Sequence, residues 1–252
     1  MMSPLRFAAC CVLFGVAMVP DLLDAAQFTV SPTRILLSRR TASALLTVRN
    51  EGAAPVRLQV KTHAWSQALD GHVELETTDE VIVFPTLVTI GPGEERKLRV
   101  AVTAAPGAVE KTFRVFLEEL PAKSAEAAPG AAVQMLTRIS IPVFLQPPVP
   151  ASHARLDRLR FEAGTVKFQI NNVGNTHFVP DTIRVRGLSP SSETILDQST
   201  EGWYILAGGV RQYELQFNSA DCSRVRMILV DTRVGDTALS DRLETPAGIC
   251  AP

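Results

Sequence analysis

The side chains that most often do chemistry are scattered along this chain and do not form a catalytic motif. The sequence has no nucleophile elbow, no Gly-rich phosphate loop in a strand–loop–helix context and no evident pair of catalytic carboxylates. The adjacent acids Glu118 and Glu119 read as a solvated strand end. The histidines are too dispersed for a metal site; they are His63, His72, His153 and His177. We therefore expect a protein that is not an enzyme and has no cofactor or metal.

The most informative pattern is an apolar alternation in residues 133–144, VQMLTRISIPVF. The row at every second position holds Val133, Met135, Ile139, Ile141 and Val143, with Thr137 as its polar member. A period of two predicts a strand with one apolar face, and this one is about twice the usual five or six residues. It is either the last core strand of a domain or a strand partly lent to a binding partner.

Residues 1–26 have the features of a secretory signal peptide. A basic start precedes the apolar run Phe7–Val19, and small residues follow at Ala25 and Ala26. The run is too short for a membrane span of about 20 residues. We therefore expect an exported protein that is cleaved after Ala25 or Ala26.

Two cysteines, Cys222 and Cys250, are left after this signal is removed. In an oxidising compartment their natural state is a disulfide, worth about 3–4 kcal/mol in the chain-entropy model. The formal net charge of −1 gives no basic surface that would favour nucleic acid or an anionic membrane.

The rest of the chain reads as short strands separated by turn residues, without a convincing helix. The strands predicted before the long one are Phe28–Leu37, Ser43–Arg49, Val56–Trp65, Val81–Ile90, Arg96–Thr103 and Thr112–Glu119. Those predicted after it are Arg158–Phe161, Thr165–Asn171, Ile183–Leu188, Gly202–Ile205, Gln212–Phe217 and Arg224–Asp231. A Pro-rich joint at 146–150 separates the two sets. The pattern predicts an all-β protein of two immunoglobulin-like β-sandwich domains, 27–147 and 148–252, in an L-shaped arrangement.

Several strings resemble one family, the periplasmic PapD-like chaperones of the chaperone–usher pilus pathway. They occur in order along nearly the whole mature chain: FTVSPTR at 28–34, FRVFLEELP at 113–121, IPVF at 141–144 and GWYIL at 202–206. The last of these is similar to the archaic branch that assembles Csu-type pili. The resemblance implies a periplasmic chaperone whose partners are pilin subunits and an outer-membrane usher, with no small-molecule or nucleic-acid substrate.

The resemblance also implies a mechanism, called donor-strand complementation. A pilin of this pathway lacks its last strand, and the chaperone fills the resulting groove with its own long strand. On this sequence the inserted row is Val133, Met135, Thr137 and Ile139. Self-association of the free chaperone through that row is left open.

The family anchors the terminal carboxylate of the pilin with two basic residues in the cleft between the domains. Arg34 matches the first of them, and its guanidinium suits a carboxylate bidentately. Pro142 stands at the family's lysine position, so Arg138 and Arg114 are both candidates for the second. Gln146 stands where many members carry an arginine that steadies the angle between the domains.

Two other classes of function remain as alternatives. A secreted two-domain adhesive or structural module would use the same sandwiches, and an exported hydrolase would need catalytic residues that are not evident here. The long apolar strand and a basic residue in the cleft separate the first class from the chaperone, because an adhesive module has no need of both.

Overall fold

The computed structural model describes residues 28–68, 70–121, 135–218 and 223–245, and every regular element in these ranges is a β-strand. The first ten strands are β1 (Phe28–Ser31), β2 (Ile35–Leu37), β3 (Ser43–Asn50), β4 (Val56–Gln67), β5 (Val73–Thr77), β6 (Val81–Phe84), β7 (Leu87–Ile90), β8 (Glu95–Val102), β9 (Lys111–Glu119) and β10 (Arg138–Leu145). The other seven are β11 (Ala154–Glu162), β12 (Thr165–Asn172), β13 (Ile183–Leu188), β14 (Thr194–Thr200), β15 (Val210–Gln216), β16 (Met227–Val234) and β17 (Thr237–Glu244).

Strands β1–β10 form two sheets, which we call the N-terminal lobe. One sheet has the order β1-β3-β8-β6, and the other has the order β2-β10-β9-β4-β5 with β7 also paired to β4. Alternate residues of both sheets point inward and make one apolar core, in which Leu46, Leu58, Leu98 and Leu117 are fully buried. This is the sandwich that the alternating sequence predicts.

Strands β11–β17 form the C-terminal lobe, with sheets β11-β12-β15 and β14-β13-β16-β17. Its separate core includes Phe168, Ile170, Val185 and Val230. The prediction of two all-β sandwiches is confirmed. The predicted domain limits at 147 and 148 lie between the last strand of one lobe and the first strand of the other, and they stay a prediction.

Two asparagines make the same turn in the two lobes. Asn50 donates its side-chain N–H groups to the carbonyls of Ala54 and Ile90, at 2.8 and 3.0 Å. Asn172 donates in the same way to Thr176 and Ile205, at 2.8 and 3.0 Å. Each Oδ1 accepts a bond from the glycine N–H two residues later, at 2.9 and 3.0 Å. Both asparagines are buried, so these bonds satisfy groups that water does not reach.

The structure corrects several strand predictions. Phe28–Leu37 is two strands, and so is Val81–Ile90; in both cases the chain leaves one sheet at a proline, Pro32 or Pro85, and joins the other. Proline has no N–H to give to a ladder, so the switch falls where a continuous strand would lose a bond. Strands β5, β14 and β17 have no counterpart in the prediction. Gly202–Ile205 is not a strand: only Ile205 forms a bridge, with Phe178.

Candidate partner-binding site

The strand at the centre of the candidate site, β10, has one edge that is only partly paired. Its full length pairs antiparallel with β9. On the other edge β2 pairs in parallel with Val143–Leu145 only. No described residue pairs along that edge from Arg138 to Pro142. These residues therefore offer backbone groups to an added strand, in line with β2.

The predicted donor row runs from this open edge into the lobe's own core. Ile141 is buried and Ile139 is partly buried against the N-terminal core. Met135 is 59% exposed and Thr137 is half-buried. Residues 135–137 are not in a strand, which corrects the predicted start of the strand at 133; Val133 lies outside the described residues. The backbone of Thr137 makes two hydrogen bonds to Glu119. Its carbonyl accepts from the Glu119 backbone N–H, and its own N–H donates to the Glu119 side chain.

Arg34 lies beside the point where the open edge ends. It directly precedes β2, whose first residue, Ile35, pairs with Val143. Arg34 is therefore beside Pro142, the family's basic position. Its side chain is exposed, and no described residue forms a hydrogen bond or ion pair with it.

Arg114 lies on the opposite side of Pro142, because it is the β9 partner of that residue. Its guanidinium carbon is 3.7 Å from the centre of the Trp65 ring and 5.9 Å from the centre of the Tyr204 ring. Nη1 donates a long bond of 3.4 Å to Ser140 Oγ. Because Arg34 directly precedes β2 and Arg114 lies on β9, on the two sides of β10, their Cα atoms are about two strand spacings, or roughly 10 Å, apart.

The charge of Arg114 is buried without a balancing carboxylate. The residue is 8% exposed, its Nε has no partner, and no described acid forms an ion pair with it. Burial lowers the pKa of the Arg114 guanidinium below its ordinary value, although an arginine stays protonated in proteins. An unbalanced buried charge is destabilising by several kcal/mol unless something pairs with it. The arrangement therefore favours an anion.

Arg138, the other candidate for the second anchor, already has a partner. Its Nε is 3.0 Å from Glu118 Oε1, and its guanidinium carbon is 4.0 Å from the centre of the Phe116 ring. Lys61 holds the same carboxylate at 2.6 Å. The hydrogen bond from Lys61 is the main reason that the pKa of Glu118 is below its usual range. Arg138 is four residues from Pro142, or about 13 Å along the strand, so it is not level with the other two arginines.

A cluster of aromatic side chains joins the two lobes below this site. Phe144 is fully buried, and its ring stacks on His177 of the C-terminal lobe at 3.5 Å between centres. Trp65 packs edge-on against Tyr204, at 5.5 Å. These four side chains come from segments far apart in sequence, so no local pattern marks this joint.

Polar bonds fix the same joint. Glu110 Oε2 accepts from the backbone N–H of His177 at 2.8 Å and contacts its ring Nδ1 at 2.7 Å. The side chain of Gln67 bonds the other lobe twice, donating to the Tyr204 carbonyl at 2.9 Å and accepting from Leu206 N–H at 3.0 Å. The Glu110 side chain is completely buried. The lobes therefore meet through specific contacts on both sides of the aromatic cluster.

The remaining predictions concern metals, membranes and the disulfide. Among the described residues, no three His, Cys, Asp or Glu side chains are grouped to hold a metal ion. The same residues include no helix long and apolar enough to cross a membrane. The predicted disulfide partners, Cys222 and Cys250, lie outside the described residues, as does the predicted signal peptide.

The open edge of β10, with the buried Arg114 and the exposed Arg34 on either side of its end, is an arrangement that allows a partner to bind by strand addition. Comparison with known families identifies the family that the N-terminal segment matches. Residues 27–150 match the pili and flagellar-assembly chaperones through their PapD N-terminal domain, and this segment of the chain belongs to that family. No curated protein sequence matches the chain.

Solved structures extend the likeness to both lobes. The CsuC–CsuE chaperone–tip adhesion subunit complex of archaic Csu pili from Acinetobacter baumannii is 18% identical over 86% of this chain and 98% of that chain, with a TM-score of 0.57. The SafA pilin–SafB chaperone complex of Salmonella enterica is 14% identical over 87% and 98%, with a TM-score of 0.58. The E. coli chaperone DraB is 15% identical over 88% and 97%, with a TM-score of 0.53. At these identities the likeness establishes the fold.

Proposed function

We propose that this protein is a periplasmic chaperone that caps pilin subunits by donor-strand complementation and delivers them to an outer-membrane usher, in the manner of the archaic branch. The family match and the fold support this function. The site assignment depends on one observation: β10 has an open edge, and the buried, unbalanced Arg114 lies at the end of that edge.

The course of β2 gives the direction of the added strand. Because β2 runs parallel to β10, a strand added in line with it in the same direction ends with its carboxyl terminus beside Arg34. Arg114 approaches the same position from the other side of Pro142. A terminal carboxylate there replaces the missing counter-charge and accepts charge-assisted hydrogen bonds from two guanidinium groups. We therefore assign the anchor to Arg34 and Arg114, and not to Arg138.

The apolar row supplies the rest of the binding. An added strand covers Ile139, and the exposed Met135 enters the groove of the pilin. The apolar row of the sequence assigns Thr137 and Val133 to the same groove. Each aliphatic side chain that becomes fully buried contributes about 1.5–3 kcal/mol. An incomplete pilin is an aggregation hazard because its strand edges and apolar groove are open. Covering both keeps the subunit soluble without nucleotide hydrolysis.

Co-expression with candidate pilins in a bacterial periplasm tests this proposal through the recovery of a soluble 1:1 complex. Arg34→Ala and Arg114→Met are each expected to reduce recovery about tenfold or more, since a hydrogen bond to a charged group contributes about 1.5–3 kcal/mol. Arg99→Ala is the matched control, because Arg99 is an exposed arginine on the sheet away from β10.

Recovery of the complex with both variants at wild-type levels would contradict the anchor. Failure of every pilin to bind the wild-type protein, with retained binding to a surface receptor, would instead support the adhesive module. Mass spectrometry of the exported protein tests the remaining part of the proposal, cleavage of the signal peptide near residue 26.

A further inference from the structure

The outward face of the sheet that contains β10 is basic in a chain that is nearly neutral. Contacts across this face join Lys61 on β4, Arg114 on β9 and Arg138 on β10 to their neighbours. Glu118 is the one carboxylate among the outward residues of these three strands. The whole chain has a formal net charge of −1, so the excess is a local property of this face. A surface with an excess of one sign attracts a partner of the opposite sign.

The terminal carboxylate accounts for Arg34 and Arg114 but not for the cations at the other end of this face. There Lys61 and Arg138 share one carboxylate, that of Glu118. Together these three side chains carry a net charge of +1. Both cationic side chains are about half exposed, at 47% and 53%, so either one is free to take a second partner.

The register of the added strand identifies which partner residue reaches this charge. With its terminal residue level with Pro142, a parallel strand places its fifth residue from the end level with Arg138, because Arg138 precedes Pro142 by four residues. Side chains alternate between faces, so the first, third and fifth residues point outward with Arg138. The second and fourth point inward with Ile141 and Ile139. Neighbouring side chains on one face are about 5 Å apart at their Cβ atoms.

We propose that this face recognises an acidic side chain at the fifth residue from the carboxyl terminus of the bound pilin strand, with Arg138 as its partner. Arg138 leaves Glu118 to Lys61 and turns toward the added strand. The proposal rests on the proposed function, since it uses the register that the terminal anchor sets. It identifies the preferred partner as a pilin with an acidic residue near the end of its last strand.

Synthetic peptides test the proposal with the full mature protein. The base peptide alternates threonine at outward positions with valine at inward ones and ends in a free carboxylate. Three versions are compared by fluorescence anisotropy at low ionic strength: glutamate at the fifth residue from the end, glutamine there, and the glutamate peptide with an amidated terminus.

The glutamate peptide is expected to bind about two- to fivefold more tightly than the glutamine peptide, the range of an exposed ion pair. Arg138→Gln should abolish this difference, and Arg138→Glu should reverse it in favour of the glutamine peptide. Arg96→Gln should preserve it, because Arg96 is an exposed, ion-paired arginine on the other sheet of the lobe.

The outcomes separate this inference from the proposed function. Equal binding of the glutamate and glutamine peptides, both weakened by amidation, would overturn the acidic preference and leave the terminal anchor intact. Equal binding of the free and amidated peptides would contradict the anchor itself. A glutamate preference that survives Arg138→Gln would overturn the assignment to Arg138, and absence of binding by all three peptides would overturn the register on which the inference depends.

Discussion

At the scale of single residues, Arg114 illustrates a conflict between folding and binding. Its guanidinium lies over Trp65 and has one long hydrogen bond, to Ser140, and an unpaired Nε. Contact with an aromatic face offsets part of the lost hydration of a cation, by about 0.5–2 kcal/mol. The remainder is a penalty for the free protein that a bound carboxylate would remove. Buried charges in perturbed surroundings cluster at functional sites.

The variant Arg114→Met is therefore predicted to increase stability while it abolishes binding. Methionine fills a similar space without charge, and such replacements of buried ions are often neutral or stabilising by about 1–4 kcal/mol. Urea denaturation of the free protein measures the change. A loss of stability of that size would show that the arginine is balanced within its own lobe. Arg99→Met is the control, expected to change the free energy of unfolding by less than about 0.5 kcal/mol.

The buried asparagines give a second prediction at this scale. Asn172→Ala is expected to lower the free energy of unfolding by about 2–4 kcal/mol, because three hydrogen bonds are lost and buried backbone groups lose their partners. The neighbouring Asn171 makes one side-chain bond, to the partly exposed carboxylate of Asp157, so Asn171→Ala is expected to cost less, about 1.5 kcal/mol. Similar values for the two variants would contradict the role assigned to Asn172.

At the scale of elements, β10 changes character along its length. Ile141 belongs to the buried core, Ile139 lies at its margin, and Met135 projects from it at 59% exposed. One row of apolar residues thus serves the lobe's own core at one end and remains available to a partner at the other. The open edge beside residues 138–142 supplies the backbone groups that the same partner needs.

This division predicts opposite effects for two similar substitutions. Met135→Asp should change the free energy of unfolding by no more than about 0.5 kcal/mol and yet greatly reduce pilin recovery. Ile141→Asp places an unpaired carboxylate in the core and should destabilise the lobe by at least about 3 kcal/mol. Circular dichroism melts and the co-expression assay together measure both. Normal pilin binding by a folded Met135→Asp protein would be incompatible with insertion of this row.

Sequence patterns predicted the elements better than the contacts between them. Alternation is local, so the strand at Ile139–Val143 is evident from its own residues. The breaks at Pro32 and Pro85 are marked by a change of phase: Val81 and Val83 are buried before Pro85, but Val88 and Ile90 after it. They were missed because exposed apolar residues such as Leu36, Ile82, Phe84 and Leu87 hide this change in the sequence. Strand β5, with most of its residues exposed, has too little apolar content to stand out. The burial of Arg114 was not predictable, since Trp65 and Tyr204 are far apart in sequence and belong to different lobes.

At the scale of the whole molecule, the relation between the lobes depends on a few contacts. In this chain Glu110 and Gln67 bond the C-terminal lobe directly, and Phe144 stacks on His177. These contacts hold Tyr204, and with it one wall around Arg114, in place.

Removing one of these contacts is predicted to loosen the joint. Glu110→Ala takes away a buried carboxylate that bonds His177 twice, so we expect stability to fall by about 1–3 kcal/mol. Small-angle X-ray scattering should show a broader distribution of interatomic distances. Glu80→Ala serves as the control, because Glu80 pairs with Lys111 on the surface of one lobe. An unchanged scattering profile for Glu110→Ala would show that the aromatic stack alone fixes the joint.

The short strand β2 has a consequence for the range of partner sequences that the proposed site can bind. It occupies only the last three positions along one side of β10, so a partner strand added beside residues 138–142 must end where β2 begins. The register of the bound strand on β10 is therefore set by the position of its terminus and not by its individual side chains. Pilin subunits with quite different sequences can therefore bind in one register, provided that the bound strand of each ends at β2.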